Sequence, residues 1–350
     1  MHLTVNSVGC SKTAISMADS CVLYKWPGQQ NWVYLQGELV PVDPTRQGFV
    51  IAPFRGNAKM ITCLLKEEST EFPQEKFSNM VKRAQDDYLF DPLHALDLYH
   101  AALGKAIAAV SNGKLKKVVV SRQEHFACRD DHFIRQFPAL AGAYPNALVY
   151  FLSTAEHGSW FGASPEILVE ENETSFTTMA LAGTIKSELE IEMKDWKQKE
   201  IEEHKYVADY IAALFEKNAL GYDRYPTAIH RTGNIHHLIS KFILPKNQST
   251  SLFELAGMLN PTPAVCGLPV EESRRFILEH EKYDRSLYTG YLGPIGMPKY
   301  NGFYVNLRCG QKIAGGAFLY AGGGINKGSV AGDEFNETCN KMENTWRFFN

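Results

Sequence analysis

The sequence of 350 residues predicts an α+β fold. Three observations carry that prediction. Segments rich in β-branched and aromatic residues occur in runs, bounded by turn residues, and blocks of helical periodicity fall between those runs. The chain is 45% hydrophobic, enough for a large core, and no linker, repeat or low-complexity tract divides it. A single unit over 1–350 is therefore expected, although length alone would allow two.

In chain order, "NWVYLQGELV" (31–40) and "GFVIAPF" (48–54) read as strands and "EKFSNMVKRAQDDYL" (75–89) as a helix. The segment 91–113 is a long helix closed by Asn112-Gly113, a C-cap signal. "KKVVVSRQEHF" (116–126) is a β-branched strand. "ALVYFLST" (147–154), "SWFGASPEILVEE" (159–171) and "SFTTMALAG" (175–183) follow as short strands. The pattern turns helical from Glu188 to Ala219. "IHHLISKFIL" and a helix near 252–259 come next, then the strands "FYVNLRC" (303–309) and "AGGAFLYAGGGI" (314–325). A final helix starts near Asp333, read as its N-cap.

Composition excludes several roles. The formal charge is −3 with no basic cluster, which argues against a nucleic-acid binder. Cys10, Cys21, Cys63, Cys128, Cys266, Cys309 and Cys339 form no CxxC and no regular framework, so reduced thiols in a cytoplasm are expected. "MHLTVNSVGCSKTAISMADS" has neither a basic start nor an apolar h-region, so no signal peptide is expected. No apolar run approaches the roughly 18 residues of a membrane span.

Two carboxylate pairs draw attention: Glu200 with Glu203 in "KEIEEHKYV", and Glu334 with Glu337 in "DEFNETCNK". On a helix, residues three apart share a face. Glu200 and Glu203 fall on the stripe of Val207, Ile211 and Leu214, so they should look into the protein. The last helix differs. Its apolar stripe is Phe335, Cys339, Met342, Trp346 and Phe349, and phase alone leaves Glu334, Glu337 and Lys341 on a solvated face. If the pairs converged, they could hold Mg²⁺, a hard cation that takes carboxylate oxygens.

Four other features could serve such a site. Lys117 opens "KVVVSR" and reads either as a solvent anchor or, if buried beside a cation, as an amine base. Glu166, after a Ser-Pro kink, is either an exposed strand acid or an inward one. The glycines of "AGGGI" (321–325) form either a tight turn or a backbone cradle for an anion. Arg308, alternating with Val305 and Leu307, is either solvated or an inward clamp for a carboxylate.

Together, in order, these pieces resemble the chorismate-utilising enzymes: isochorismate and salicylate synthases and the large subunits of anthranilate and aminodeoxychorismate synthase. The resemblance rests on "KVVVSR", "GASPEIL", "ALAGT", "EEHKYVADYI", "IHHL", "LNPTPAVCGLP", "YDRSLYTGYLG", "VNLRC", "AGGGI" and "EFNETCNK". It covers about 90–350; residues 1–90 match loosely, through "FVIAPF". It implies one domain with two large, mostly antiparallel sheets flanked by helices, as in anthranilate synthase component I.

Residue by residue, the resemblance implies that Lys117 is the general base and Glu166 the general acid. Glu203 and Glu337 match Mg²⁺ ligands, with Glu200 and Glu334 in support. Ala182, Gly183, Thr184, His237, Tyr288, Arg308, Gly322, Gly324 and Lys341 match substrate-binding positions. Within the family, Lys117 is similar to the members that activate water, and Ala182 stands where the aminodeoxychorismate branch carries lysine. Isochorismate synthase is thus the expected activity, with chorismate as substrate, no glutaminase subunit, and a monomer in the cytoplasm serving menaquinone or siderophore synthesis. "PTPAV" favours it over salicylate synthase, although Asn260 and Cys266 depart from the usual form. A degenerate chorismate-binding module and a generic Mg²⁺-dependent hydrolase are the rivals outside this reading.

Overall fold

A computed structural model describes residues 20–84, 90–232, 235–246 and 250–349. The amino-terminal stretch read for a signal peptide, Cys10, and the end of the helix expected over 75–89 lie outside these residues.

The described residues begin with strands β1 (Ser20–Lys25), β2 (Trp32–Gly37), β3 (Leu39–Pro41), β4 (Gly48–Ala52), β5 (Lys59–Thr62) and β6 (Leu65–Ser69). Helices α1 (Gln74–Val81) and α2 (Pro92–Ser111) follow, then β7 (Lys117–Ala127), α3 (Asp130–Ala143), β8 (Leu148–Thr154), β9 (Gly158–Ser164), β10 (Ile167–Glu171) and β11 (Ser175–Lys186). Next come α4 (Gln198–Lys217), β12 (Asp223–Arg224), β13 (Ala228–Thr232), β14 (Ile235–Pro245), α5 (Leu252–Leu259), β15 (Gly267–Leu268) and α6 (Val270–His280). The chain closes with β16 (Tyr291–Ile295), β17 (Asn301–Val305), β18 (Cys309–Ile313), β19 (Gly316–Ile325) and α7 (Ala331–Trp346).

The strands form two sheets in which every pairing is antiparallel. One has the order β15-β7-β19-β18-β9-β8-β1-β2-β6; the other is β12-β14-β11-β10-β17-β16-β4-β5-β3, with β13 also paired to β14. The α+β class and the two flanked antiparallel sheets expected from the sequence are thus present.

The layering follows from alternation along the strands. Val22 and Tyr24 of β1 join Phe49, Leu292 and Tyr304 in a core between the sheets. Cys21 and Leu23 point the other way, to Phe77 of α1 and Phe133 and Phe137 of α3. Helices α4 and α5 cover the outer face of the second sheet through Val207, Ile211, Leu255 and Leu259. Helices α2 and α6 pack on β7 and β19 through Leu103, Ala106, Ile277, Val118 and Val120.

Two helix ends illustrate local control. Asp91 caps α2, its side chain accepting from the Leu93 and His94 N–H groups at 3.0 and 3.1 Å. The last helix starts two residues before the expected cap. It runs from Ala331, and Asp333 lies in its first turn, where its charge suits the helix dipole.

Candidate active site

Two neighbouring chain crossovers build the centre of the site. The strand expected over 159–171 breaks at Pro165, which cannot donate to a ladder. Strand β9 ends at Ser164 in one sheet and β10 begins at Ile167 in the other. Glu166 sits in that step and is 4% exposed. The Glu166 carbonyl accepts from Val305 N–H at 2.9 Å, and Ser164 Oγ donates to the Val305 carbonyl.

The return crossover carries Arg308. The strand expected over 303–309 stops at Val305, and Arg308 takes a φ of 49°, a left-handed conformation that costs a non-glycine residue about 1 kcal/mol or more. Buried Asn306 holds the crossover in place. Its Oδ1 accepts from Tyr150 at 2.6 Å and its Nδ2 donates to the Leu287 carbonyl at 2.9 Å. Strand alternation therefore does not govern Arg308; the crossover does.

Glu166, Ala182, Gly183, Thr184, Glu203, His237, Tyr288, Arg308, Gly322, Gly324, Glu337 and Lys341 line one cavity, with about 780 Å³ of empty space that includes its open mouth. Glu203 on α4 and Glu337 on α7 thus face the same space. A separate cleft between α2 and β7, lined by His94, Tyr99, Arg122 and Glu281 among others, contains none of the sequence-predicted residues.

Three predicted residues lie behind the cavity wall. Lys117 is fully buried, and its Nζ lies 2.9 Å from Glu203 Oε1, outside hydrogen-bond alignment. Glu200 packs against the bulge at Gly183, where φ is 75° and an added Cβ would come within 2.9 Å of the Glu200 carbonyl oxygen. Glu334 is 1% exposed, not solvated as its helical phase suggests. The inner stripe of α7 is Glu334, Thr338, Met342 and Thr345, so polar residues occupy a face that a hydropathy reading assigns to solvent.

The glycine run, whose Gly322 and Gly324 line the cavity, is not the tight turn of the two readings. It lies inside a ladder with β7, pairing Gly322 with Ser121 and Gly324 with Val119. Its lack of side chains admits the helix acids. A Cβ at Gly324 would stand 2.4 Å from Glu203 Oε1, and one at Gly323 3.0 Å from Glu334 Oε2.

Electrostatics set the protonation states. Burial pushes the Glu166 carboxyl up to about 8, against the opposing charges of Lys117 and Lys341, so near neutral pH it is predominantly the acid form. Burial, reinforced by Arg308, pushes His237 down to about 3. His237 Nδ1 lies 3.0 Å from the Gly183 carbonyl, which can only accept. That assigns the ring proton to Nδ1 and leaves Nε2 as an acceptor. Burial raises the Glu334 carboxyl. Burial would raise Glu337 too, but the charge and hydrogen bond of Lys341 outweigh it and hold Glu337 low.

Each of three acids has a lysine partner: Glu203 with Lys117, Glu334 with Lys199 at 2.8 Å, and Glu337 with Lys341 at 2.6 Å. Lys341 also donates to the Gly322 carbonyl at 2.8 Å. Sequence reasoning did not single out Lys199, although it stands in the quoted "KEIEEHKYV". Nor did it find Thr289, a cavity residue with φ of 63°.

Among the described residues, no three acid, histidine or cysteine side chains already converge at metal-binding distances. The donor set nevertheless suits a hard cation. Buried Oε2 atoms of Glu200 and Glu334 have no hydrogen-bond partner, and Glu203 and Glu337 offer carboxylates to the cavity. No helix among the described residues is long and apolar enough to cross a membrane.

Comparison with known proteins identifies the family and the fold. The family described as chorismate binding enzyme matches residues 54–349. Isochorismate synthase DhbC of Bacillus subtilis (strain 168) is 30% identical over 286 residues, covering 76% of this chain and 71% of that protein. The structure of MenF, the menaquinone-specific isochorismate synthase from Escherichia coli, aligns with a TM-score of 0.74 at 18% identity, over 95% of this chain and 89% of that one. Anthranilate synthase component I from Streptococcus pneumoniae TIGR4 aligns with a TM-score of 0.68 at 16% identity, over 98% and 94%. The last two likenesses concern the fold.

Proposed function

Because the chain belongs to the chorismate-binding enzyme family, we propose that it is an isochorismate synthase, converting chorismate to isochorismate. The observation that carries this reading is a buried carboxyl, Glu166, kept largely protonated in the wall of a cavity that also presents Arg308 and Lys341. Such a cavity can hold a dianion and protonate a leaving group on it.

Water adds its hydroxyl at C2, the two ring double bonds shift, and the C4 hydroxyl leaves with the proton of Glu166. Lys117 takes the proton released by the water, so the sum is an isomerisation. Lys117 lies behind the cavity wall beside Glu203, so a bridging water has to carry that proton to it. Arg308 and Lys341 bind the substrate's carboxylates, with the Gly322 and Gly324 backbone in support. Tyr288 adds a hydroxyl donor, and His237 Nε2 accepts from a substrate hydroxyl. Glu203 and Glu337, backed by Glu200 and Glu334, would hold Mg²⁺, which supplies charge neutralisation and Lewis acidity for a carboxylate facing an acid-rich wall.

With water as the nucleophile, neither ammonia nor a glutaminase partner is needed. Product from purified protein and chorismate should chromatograph as isochorismate, with turnover lost in excess EDTA and restored by Mg²⁺. Salicylate, an amine product, or no turnover would overturn the assignment. The product would serve menaquinone or catechol siderophore synthesis in the cytoplasm.

Gly324→Ala tests the role of the glycine run. The new Cβ meets the flexible end of Glu203 and stands 3.2 Å from Lys117 Cε, so the fold should survive with a Tm lower by a few degrees. The Glu203 carboxylate must move, and kcat/KM should fall at least tenfold. Unchanged kinetics would show that the position of Glu203 is not critical.

A further inference from the structure

The geometry points to Arg285, paired with Glu281, as a positioning residue that fixes three walls of this site without reaching the substrate. It lies in "YDRSLYTGYLG", and the chemistry above does not use it. Arg285 is 2% exposed. Its Nε and Nη2 donate to the two oxygens of Glu281 at 2.7 and 2.6 Å. The remaining donors are directed at the cavity's frame: Nη2 to the Val119 carbonyl at 2.8 Å, and Nη1 to the Val265 carbonyl at 3.0 Å and Thr289 Oγ1 at 3.2 Å. Val119, Val265 and Thr289 all line the cavity, and they come from β7, the loop before β15, and the turn before β16.

That turn carries backbone strain that a brace can offset. Ser286 and Thr289 both hold positive φ, 47° and 63°, flanking Tyr288. The guanidinium packs over Phe54, 4.7 Å from its ring centroid, and over Tyr288 at 5.9 Å. Phe54 N–H in turn donates to the Ser286 carbonyl at 2.8 Å. Glu281 extends the clamp, accepting from the Ser121 N–H at 2.7 Å and its hydroxyl at 3.0 Å. A planar five-donor group can hold these directions together; a lysine cannot.

The inference rests on the proposed isochorismate synthase activity. Arg285→Lys keeps the charge opposite Glu281 but loses the fork. It is expected to raise KM for chorismate at least tenfold and to lower kcat/KM about a hundredfold. Destabilisation alone reduces the active fraction, and with it the apparent kcat, but leaves KM unchanged, so a KM effect separates positioning from folding. If Arg285→Lys does not fold, Glu281→Gln serves, since it keeps the shape and one acceptor for the guanidinium but turns an amide donor toward the fork. A folded variant with unchanged KM overturns the clamp. A wild-type protein inactive on chorismate overturns the functional reading instead.

Discussion

Glu166→Gln is expected to lower kcat by about 10²–10⁴-fold while making the protein more stable at alkaline pH. Both effects come from one buried carboxyl. The native pKa is raised from 4.5 to about 8, so between those values the folded state keeps a proton that the unfolded chain has shed. Stability contributed by this group is therefore fully present below about pH 4.5 and is lost as pH rises through 8. At about 1.4 kcal/mol for each tenfold, the cost above pH 8 is at most about 5 kcal/mol. Glutamine keeps the shape, has no proton to lose, and removes that dependence. Turnover in the parent should fall above about pH 8, where the acid form is depleted. Chemical denaturation at pH 5 and pH 9, beside kcat at each, checks both effects. Equal pH dependence in parent and variant would show that Glu166 is not held in its acid form.

How much of this was legible in the sequence depends on which physical rule dominates locally. The inward face of α4 was readable because Glu200 and Glu203 continue the stripe of Val207 and Ile211, both buried. The same rule failed on α7, where Glu334 and Thr338 are buried against β19 and β7. Hydropathy cannot see a polar residue buried beside a polar partner, as Glu334 is with Lys199 and Thr338 with Arg122. Strand β1, which the sequence reading did not assign, has no alternation because both faces are covered: Cys21 and Leu23 by helices, Val22 and Tyr24 by the opposing sheet. Helix α3 carries Pro138 in its interior, a residue that normally argues against a helix. The crossovers at Glu166 and Arg308 were invisible to strand periodicity, since they are where the chain leaves one sheet for the other. Those two candidate positions drew their roles from the family resemblance, and the crossovers supply the reason for their placement.

Lys117→Ala should abolish turnover, by 10³-fold or more, with ligand binding in the presence of Mg²⁺ largely retained. The structural consequences need separating from the chemical ones, because Lys117 is fully buried and Glu203 beside it is 18% exposed at its side chain. Alanine leaves a cavity and strands a partly buried carboxylate. Methionine fills nearly the same volume, and Glu203 keeps access to solvent, so Lys117→Met should cost only about 1–2 kcal/mol. A contact that merely neutralised Glu203 would make Lys117→Met a mild defect, restored by raising Mg²⁺. A base that takes the proton from water cannot be replaced by a thioether at any Mg²⁺ concentration. Melting curves, isothermal titration with substrate and turnover across a Mg²⁺ series distinguish these outcomes. Turnover of Lys117→Met within tenfold of the parent at saturating Mg²⁺ would remove Lys117 from the chemistry and leave it a counter-ion.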